Sequence, residues 1–239
     1  MEKKDTKASC NLSVFVYSWQ KASWPTLNRI GFFCIFIRLR NWLKKPPNQN
    51  FFTMTTDIET RKYSIEEYFA IEAEAKEKLE YFDGKIRPMP GGTPLHNEIA
   101  LKTGAILLSL VKQLKRKYKV YNSDMKIWIG NLQHFVYPDA VVVCEKPVLY
   151  PGRKDIITNP LLIVEVLSPS TEAYDRHDKF LEYRTISSFR EYVCLRQDAV
   201  EGVAFYREQE GLWRESNAMG KEAVLPLRSL GVALPLGEV

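Results

Sequence analysis

Two carboxylates stand where carboxylates are costly. Asp139 follows Pro138 at the head of the aliphatic run Ala140-Val141-Val142-Val143, and Glu165 interrupts Leu161-Leu162-Ile163-Val164-Glu165-Val166-Leu167. Runs of that length and β-branched content read as strands buried on both faces. An ionised carboxylate is expensive in such a place unless it is paired or binds a metal. Two strands about 25 residues apart could bring both acids to one end of a sheet. There they could hold a hard divalent cation such as Mg²⁺, which takes one or two carboxylates plus waters and phosphate oxygens. Such an ion activates water and stabilises an in-line phosphoryl displacement.

A nearby lysine would position that water or neutralise the developing charge. The strand cannot supply it, because the second residue after Glu165 is Leu167. Lys179, on the helix expected to follow, is the nearest candidate. Asp175 and Lys179 lie four apart on one face of that helix, and Tyr183 extends it. Each residue has a plainer reading. Asp139 could accept backbone N–H groups in a turn, Glu165 could be structural, Asp175–Lys179 could be an exposed helix pair, and Glu80 could point outward from its strand. Asp124 reads as a turn or surface acid. His96 opens a helix and could touch a phosphate or be merely structural. His134 and His177 lack partners at zinc-ligand spacing. There is no P-loop, no dinucleotide fingerprint and no nucleophile elbow.

The elements that would position these residues follow from the pattern. Ser64-Ile65-Glu66-Glu67 is a capping box opening a helix to about Lys78. Glu80 lies on the first strand of a hairpin turning at Asp83-Gly84. After the breaker-rich loop Pro88–Pro94, a helix is expected over about His96–Tyr118, with an apolar stripe and a basic last turn. Lys119–Ile129 and Phe135–Cys144 read as strands, Lys146–Pro160 as a loop and Leu161–Leu167 as a second central strand. Ser170 or Thr171 would cap a helix to about Ile186. Strands at 191–195, 200–206 and 212–215 and an apolar tail follow. This order predicts an α/β chain: a mixed sheet with helices packed on it.

Charge divides the chain. Residues 1–53 carry nine Lys/Arg and two acids, leaving 25 basic and 27 acidic side chains for the rest. The overall +5 therefore belongs to the head of the chain and does not make the main domain a DNA binder. Residues 1–53, basic and aromatic, are expected to be an extension outside the fold, with Met54 as the start of the domain 54–239. The apolar run Ile30–Ile37 is too short to span a bilayer. No membrane partner is expected; the rival reading makes residues 1–53 a segment that seeks a membrane or nucleic-acid surface. Four cysteines without ligand spacing suit a reducing cytoplasm.

Together, Glu80 in Leu-Glu-Tyr-Phe-Asp-Gly, the Pro138-Asp139 pair, the run Ile163–Thr171 and the Asp175…Lys179…Tyr183 helix resemble the Uma-type restriction endonuclease family. That family is abundant in cyanobacteria and lies within the PD-(D/E)XK nuclease superfamily. The resemblance spans about residues 60–238 and implies a restriction-endonuclease-like fold, a central mixed β-sheet flanked by helices. It implies that Asp139 and Glu165 bind Mg²⁺ (or Mn²⁺), that Glu80 is an accessory metal or water ligand, and that Lys179 replaces the lysine normally found at Leu167. The function expected is Mg²⁺-dependent hydrolysis of DNA phosphodiesters by a homodimer. The alternative is a catalytically inactive DNA-binding or assembly module on the same fold, prompted by Leu167. The Lys112–Lys119 cluster is an expected DNA-backbone contact, or else a solvated helix end.

Overall fold

The chain leaves its first helix early. In the computed structural model, which describes residues 61–89, 91–168 and 172–239, α1 (Ile65–Glu74) opens with the expected capping box. The Glu67 N–H donates to Ser64 Oγ at 3.2 Å, and the Ser64 N–H donates to Glu67 Oε2 at 2.9 Å. It stops at Glu74 rather than Lys78 because Ala75 is already extended. The chain then enters β1 (Leu79–Phe82) and returns through β2 (Lys85–Pro88). The turn places Asp83 at φ 44° and Gly84 at φ 90°, the two positive angles that an Asp-Gly hairpin provides most readily. Readings made for residues 1–53, for Met54 and for a cap at Ser170 or Thr171 fall outside the described residues.

Helix α2 (Pro94–Lys112) begins on Thr93, whose hydroxyl accepts the His96 N–H at 3.1 Å. It ends six residues before the expected Tyr118, which instead begins β3 (Tyr118–Asn122). Two strands expected to be continuous are each broken. Lys119–Ile129 divides into β3 and β4 (Lys126–Ile129) around a turn in which Asn122 Oδ1 accepts the Asp124 N–H at 3.2 Å, an Asx turn. Phe135–Cys144 divides into β5 (His134–Val136) and β6 (Ala140–Cys144) at Tyr137-Pro138-Asp139. Pro138 has no N–H to give a ladder and restricts the residue before it.

Each break moves the chain from one sheet to another. A five-stranded sheet runs β2-β1-β5-β4-β7, with β7 (Ile156–Ile157) inside the expected loop 146–160. A six-stranded mixed sheet runs β11-β10-β9-β8-β6-β3, with β8 at Leu162–Leu167, β9 at Glu191–Arg196, β10 at Glu201–Gln209 and β11 at Leu212–Met219. In it, β8 pairs antiparallel with β6 and parallel with β9. A small hairpin, β12 (Val224–Leu227) and β13 (Val232–Pro235), completes the described strands. The single central sheet of the sequence reading is thus two larger sheets and a hairpin.

Strand β8 is buried along its whole length, because both faces of the six-stranded sheet are covered. Leu162, Val164 and Val166 pack with Ile99, Leu107 and Val111 of α2 and with Leu225 and Leu234 of the hairpin. Ile163 and Leu167 face the other way, among Phe180, Tyr183, Tyr192 and residues of the five-stranded sheet such as Ile127 and Val136. Side chains alternate across a strand, so Glu165 falls on this second face. The covering element there is helical from 172 to 183: α3 (Glu172–Tyr174), a π-helical turn (Asp175–Lys179) and α4 (Phe180–Tyr183). It ends three residues before the expected Ile186.

Candidate active site

The junction Tyr137-Pro138-Asp139 delivers Asp139 to the head of β6, between β8 and β3 in the six-stranded sheet. β6 pairs with β8 as Ala140↔Val164, so one further step of that register sets Asp139 beside Glu165. Asp139 Oδ2 accepts the Val166 N–H at 2.7 Å and lies 3.3 Å from His96 Nε2. Asp139 is thus a backbone acceptor, but of β8 across the sheet rather than of the turn after Pro138, and this coexists with a place next to Glu165. The hydrogen bond that His96 donates to Asp139 raises the imidazole above its ordinary pKa, with burial opposing.

Lys179 reaches Glu165 from the helix. Its Nζ is 2.8 Å from Glu165 Oε1 and 3.6 Å from Asp175 Oδ1. The Tyr183 hydroxyl donates to the same Glu165 Oε1 at 3.1 Å, and the Tyr192 hydroxyl donates to the Asp175 carbonyl at 2.8 Å. Relative exposure is 4% for Glu165, 6% for Asp175, 7% for Lys179 and 8% for Asp139. That overturns the exposed-pair alternative for Asp175–Lys179. The π-helical turn carries both residues; such turns occur mostly as single insertions and often at functional sites. Leu167, where the lysine would stand in the superfamily pattern, packs in the apolar cluster on the same face.

The electrostatics are those of surplus acid. Burial pushes the Glu165 carboxyl well above its usual range; Asp175 and Asp139 push the same way, while Lys179 opposes them. Burial works against the Lys179 charge, but Glu165, Tyr183, Asp175 and Glu80 together hold it well above the ordinary lysine value. Lys179 thus keeps its proton. Glu80 acts on Lys179 and Tyr183 by its charge, while its Oε1 accepts the Tyr137 N–H at 3.1 Å. Among the described residues no group of three or more His, Cys, Asp or Glu is arranged to hold a metal ion. Glu80 therefore does not complete a three-ligand cage with Asp139 and Glu165. A Mg²⁺ site needs no such cage, since two carboxylates with waters and substrate oxygens suffice.

Other expectations place differently. The Lys112–Lys119 cluster lies at the far end of α2 from His96, where Tyr118 pairs with Cys144, remote from Asp139. It does not border the carboxylates. Asp124 is a turn acid bonded to Lys78 at 2.9 Å. His134 contacts Glu182 at 3.0 Å, outside the carboxylate group. Sequence reasoning missed the partner of Asp139, although His96 was in view, and missed Tyr192 entirely. It also missed a second buried charge group, in which Lys126 contacts Glu72 and lies 3.2 Å from Asp155 Oδ2. Arg153 joins it at 2.9 Å from Glu72 and 2.6 Å from Asp155, and the Tyr68 and Tyr137 hydroxyls donate to Glu72 Oε1 at 3.0 and 3.1 Å. The signal was weaker than for Glu165, since Lys126 opens the short apolar strand Ile127-Trp128-Ile129 rather than interrupting it.

A mixed sheet carrying a strand-end aspartate beside a mid-strand glutamate, with helices on both faces, is a nuclease-like α/β architecture. The fold matches the crystal structure of a "putative nuclease belonging to DUF820" from Anabaena variabilis, with a TM-score of 0.57 at 17% identity, covering 74% of this chain and 96% of that one. The profile of the Uma2 family, described as "Putative restriction endonuclease", matches residues 65–237, and the chain belongs to that family. Two Synechocystis proteins are similar over most of their length. Protein sll1609 is 32% identical over 164 residues, 69% of this chain and 92% of its own. Protein slr1290 is 36% identical over 174 residues, 72% and 88% respectively. No helix among the described residues is long and apolar enough to cross a membrane.

Proposed function

We propose that the chain is a metal-dependent DNA endonuclease that hydrolyses phosphodiesters with an activated water, acting as a homodimer in the cytoplasm. The observation that carries this reading is Lys179 Nζ at 2.8 Å from Glu165, with Asp139 at the neighbouring register position. Asp139 and Glu165 would hold Mg²⁺ or Mn²⁺. The bound ion would supply a water of lowered pKa and positive charge against the phosphoryl oxygens. Lys179 keeps its proton and so serves as a charge stabiliser or water-orienting donor rather than a base. The Tyr183 hydroxyl fixes the Glu165 carboxylate, and His96 fixes Asp139. Glu80 acts at one remove, through its bond to the backbone where the chain changes sheet. Family membership supports the nuclease class, and two active sites related by a two-fold axis suit the cutting of both strands of a duplex.

The rival reading, a binding module without catalysis, rests on Leu167. The amine that Lys179 brings to the carboxylates by another route argues against it. The test is to incubate the protein with supercoiled plasmid in Mg²⁺ or Mn²⁺ beside Asp139→Ala, Glu165→Ala and Lys179→Ala. The parent is expected to nick, and each substitution to slow nicking by about 10²-fold or more. Tight DNA binding by a folded parent without cleavage in either ion would establish the binding module instead.

A further inference from the structure

Tyr192 stands on β9 with its side chain on the same face of the sheet as Glu165. It pairs with Ile163, two residues before Glu165, and packs in the same apolar cluster as Leu167; side chains two apart on a strand share a face. The residue is fully buried, and no role described above uses its hydroxyl. That hydroxyl crosses to the helical segment and donates to the Asp175 carbonyl at 2.8 Å, at the start of the π-helical turn Asp175–Lys179. Burial keeps it in its protonated, donating form. The ring meets the other end of the same turn. It stacks on Phe180, the residue after Lys179, with 5.4 Å between centroids and 7° between planes, and lies 5.8 Å from the Tyr183 ring.

A π turn holds one residue more than an α turn. Helical hydrogen bonding alone does not fix where that extra residue sits, because adjoining turns can exchange widths. Each residue that such a step passes is rotated by about 100° and moved about 1.5 Å along the axis. Asp175 and Lys179 are the two ends of the wide turn, so a step in either direction would swing one of them away from Glu165. We infer that Tyr192 is a positioning residue of the carboxylate site: its hydroxyl pins the π turn through the Asp175 carbonyl and so sets the Lys179 ammonium 2.8 Å from Glu165. Tyr183 reaches Glu165 directly, whereas Tyr192 acts on it only through the backbone that carries Lys179. The placing of Lys179 stands apart from the nuclease reading; the consequence for rate rests on it, since a misplacement of about 1 Å can cost about 10²-fold.

The test uses the full chain and Tyr192→Phe, which deletes one oxygen and keeps the ring against Phe180. With isotope-labelled lysine, a buried ammonium held by carboxylates exchanges its protons slowly enough to give a nitrogen resonance, which Lys179→Arg assigns. Tyr192→Phe should lose that resonance and slow plasmid nicking in Mg²⁺ by at least about tenfold, with DNA affinity in EDTA unchanged. The control Tyr174→Phe removes a hydroxyl from the same segment, one that donates to Glu182 at 3.3 Å, and should change neither. In a parent that nicks, a Tyr192→Phe variant that keeps either the resonance or the rate would overturn the inference, as would a Tyr174→Phe variant that behaves alike. In a parent that does not nick, loss of the resonance in Tyr192→Phe alone would support the positioning role and overturn the nuclease reading; a resonance kept would overturn both. Should Tyr192→Phe fail to fold, the parent decides. Its Tyr192 hydroxyl proton is expected to exchange with water as slowly as the β9 amides, and a freely exchanging one would overturn the inference.

Discussion

The cluster around Lys126 and the cluster around Lys179 each surround a buried ammonium with carboxylates and tyrosine hydroxyls, one in each large sheet. Around Lys126 the charges balance: Lys126 and Arg153 against Glu72 and Asp155. Around Lys179 they do not, since Glu165, Asp175 and the adjoining Asp139 outnumber the one lysine, with His96 the remaining cation. Residue types are alike, although Glu72, Arg153 and Asp155 are more exposed than Glu165, Asp175 and Asp139. The charge balance differs. The balanced cluster ties α1 to β4 and the segment before β7, whereas the acid in excess is what the proposed function assigns to a bound cation.

The largest expected effect separates the two by stability. Lys126→Met leaves Glu72 with Arg153 as its one charged partner beside the Tyr68 and Tyr137 hydroxyls, and removing one member of a buried pair costs about 3–5 kcal/mol. Glu165→Gln removes the nearest partner of Lys179 but leaves Asp175 at 3.6 Å in an acid-rich group, so its loss should be the smaller of the two. Urea unfolding of both variants measures the difference, and equal losses would erase the distinction. Next comes the cation itself. Millimolar Mg²⁺ should raise the thermal stability of the parent, by about 2.7 kcal/mol when free metal is 100-fold above its dissociation constant. Glu165→Gln should lose that gain. A gain kept by Glu165→Gln but lost with Lys126→Met would move the cation site to the other cluster.

The smallest effect is a pH dependence. The Arg153 hydrogen bond, aided by Lys126 and opposed by burial, holds the Asp155 carboxyl at about 2, below its ordinary 3.8. A depressed carboxyl binds protons less readily folded than unfolded. Its stabilisation is therefore present above about 3.8 and lost as pH falls from there through about 2. The Asp155 side chain is 40% exposed, so screening limits the contribution to about 1 kcal/mol or less. Asp155→Asn should flatten that acid limb in a series of melts between pH 4 and 2. An unchanged limb would remove Asp155 from the balanced set.

Asp139 and Glu165 were legible because each breaks a run that is otherwise apolar, and Lys179 because Leu167 left the strand without an amine. What the sequence withheld was long-range. Lys126 and Glu191 each open a strand and are fully buried, yet Lys126 finds Glu72 54 residues away. Glu191 is satisfied by the backbone N–H groups of Arg228 and Ser229 at 2.7 and 2.9 Å and by the Ser229 hydroxyl. Nothing local tells such a glutamate from Glu165. The paired sheets were hidden for a related reason. Periodicity marks Phe135–Cys144 as extended throughout but carries no mark of the residue at which an extended chain changes partners. Only Pro138 hinted at it.

That crossing has a consequence for how the lineage can vary. Tyr137 touches both Glu72 and Glu80, and Asp139, two residues on, meets β8. Strand side chains alternate with a period of two, so a single inserted codon between Pro138 and Ala140 would turn the acid to the opposite face. The stretch between β6 and β7 can gain or lose residues at its exposed positions with little penalty. Drift in length is therefore expected among descendants around 145–155, while 137–139 admits substitutions but no change in its count.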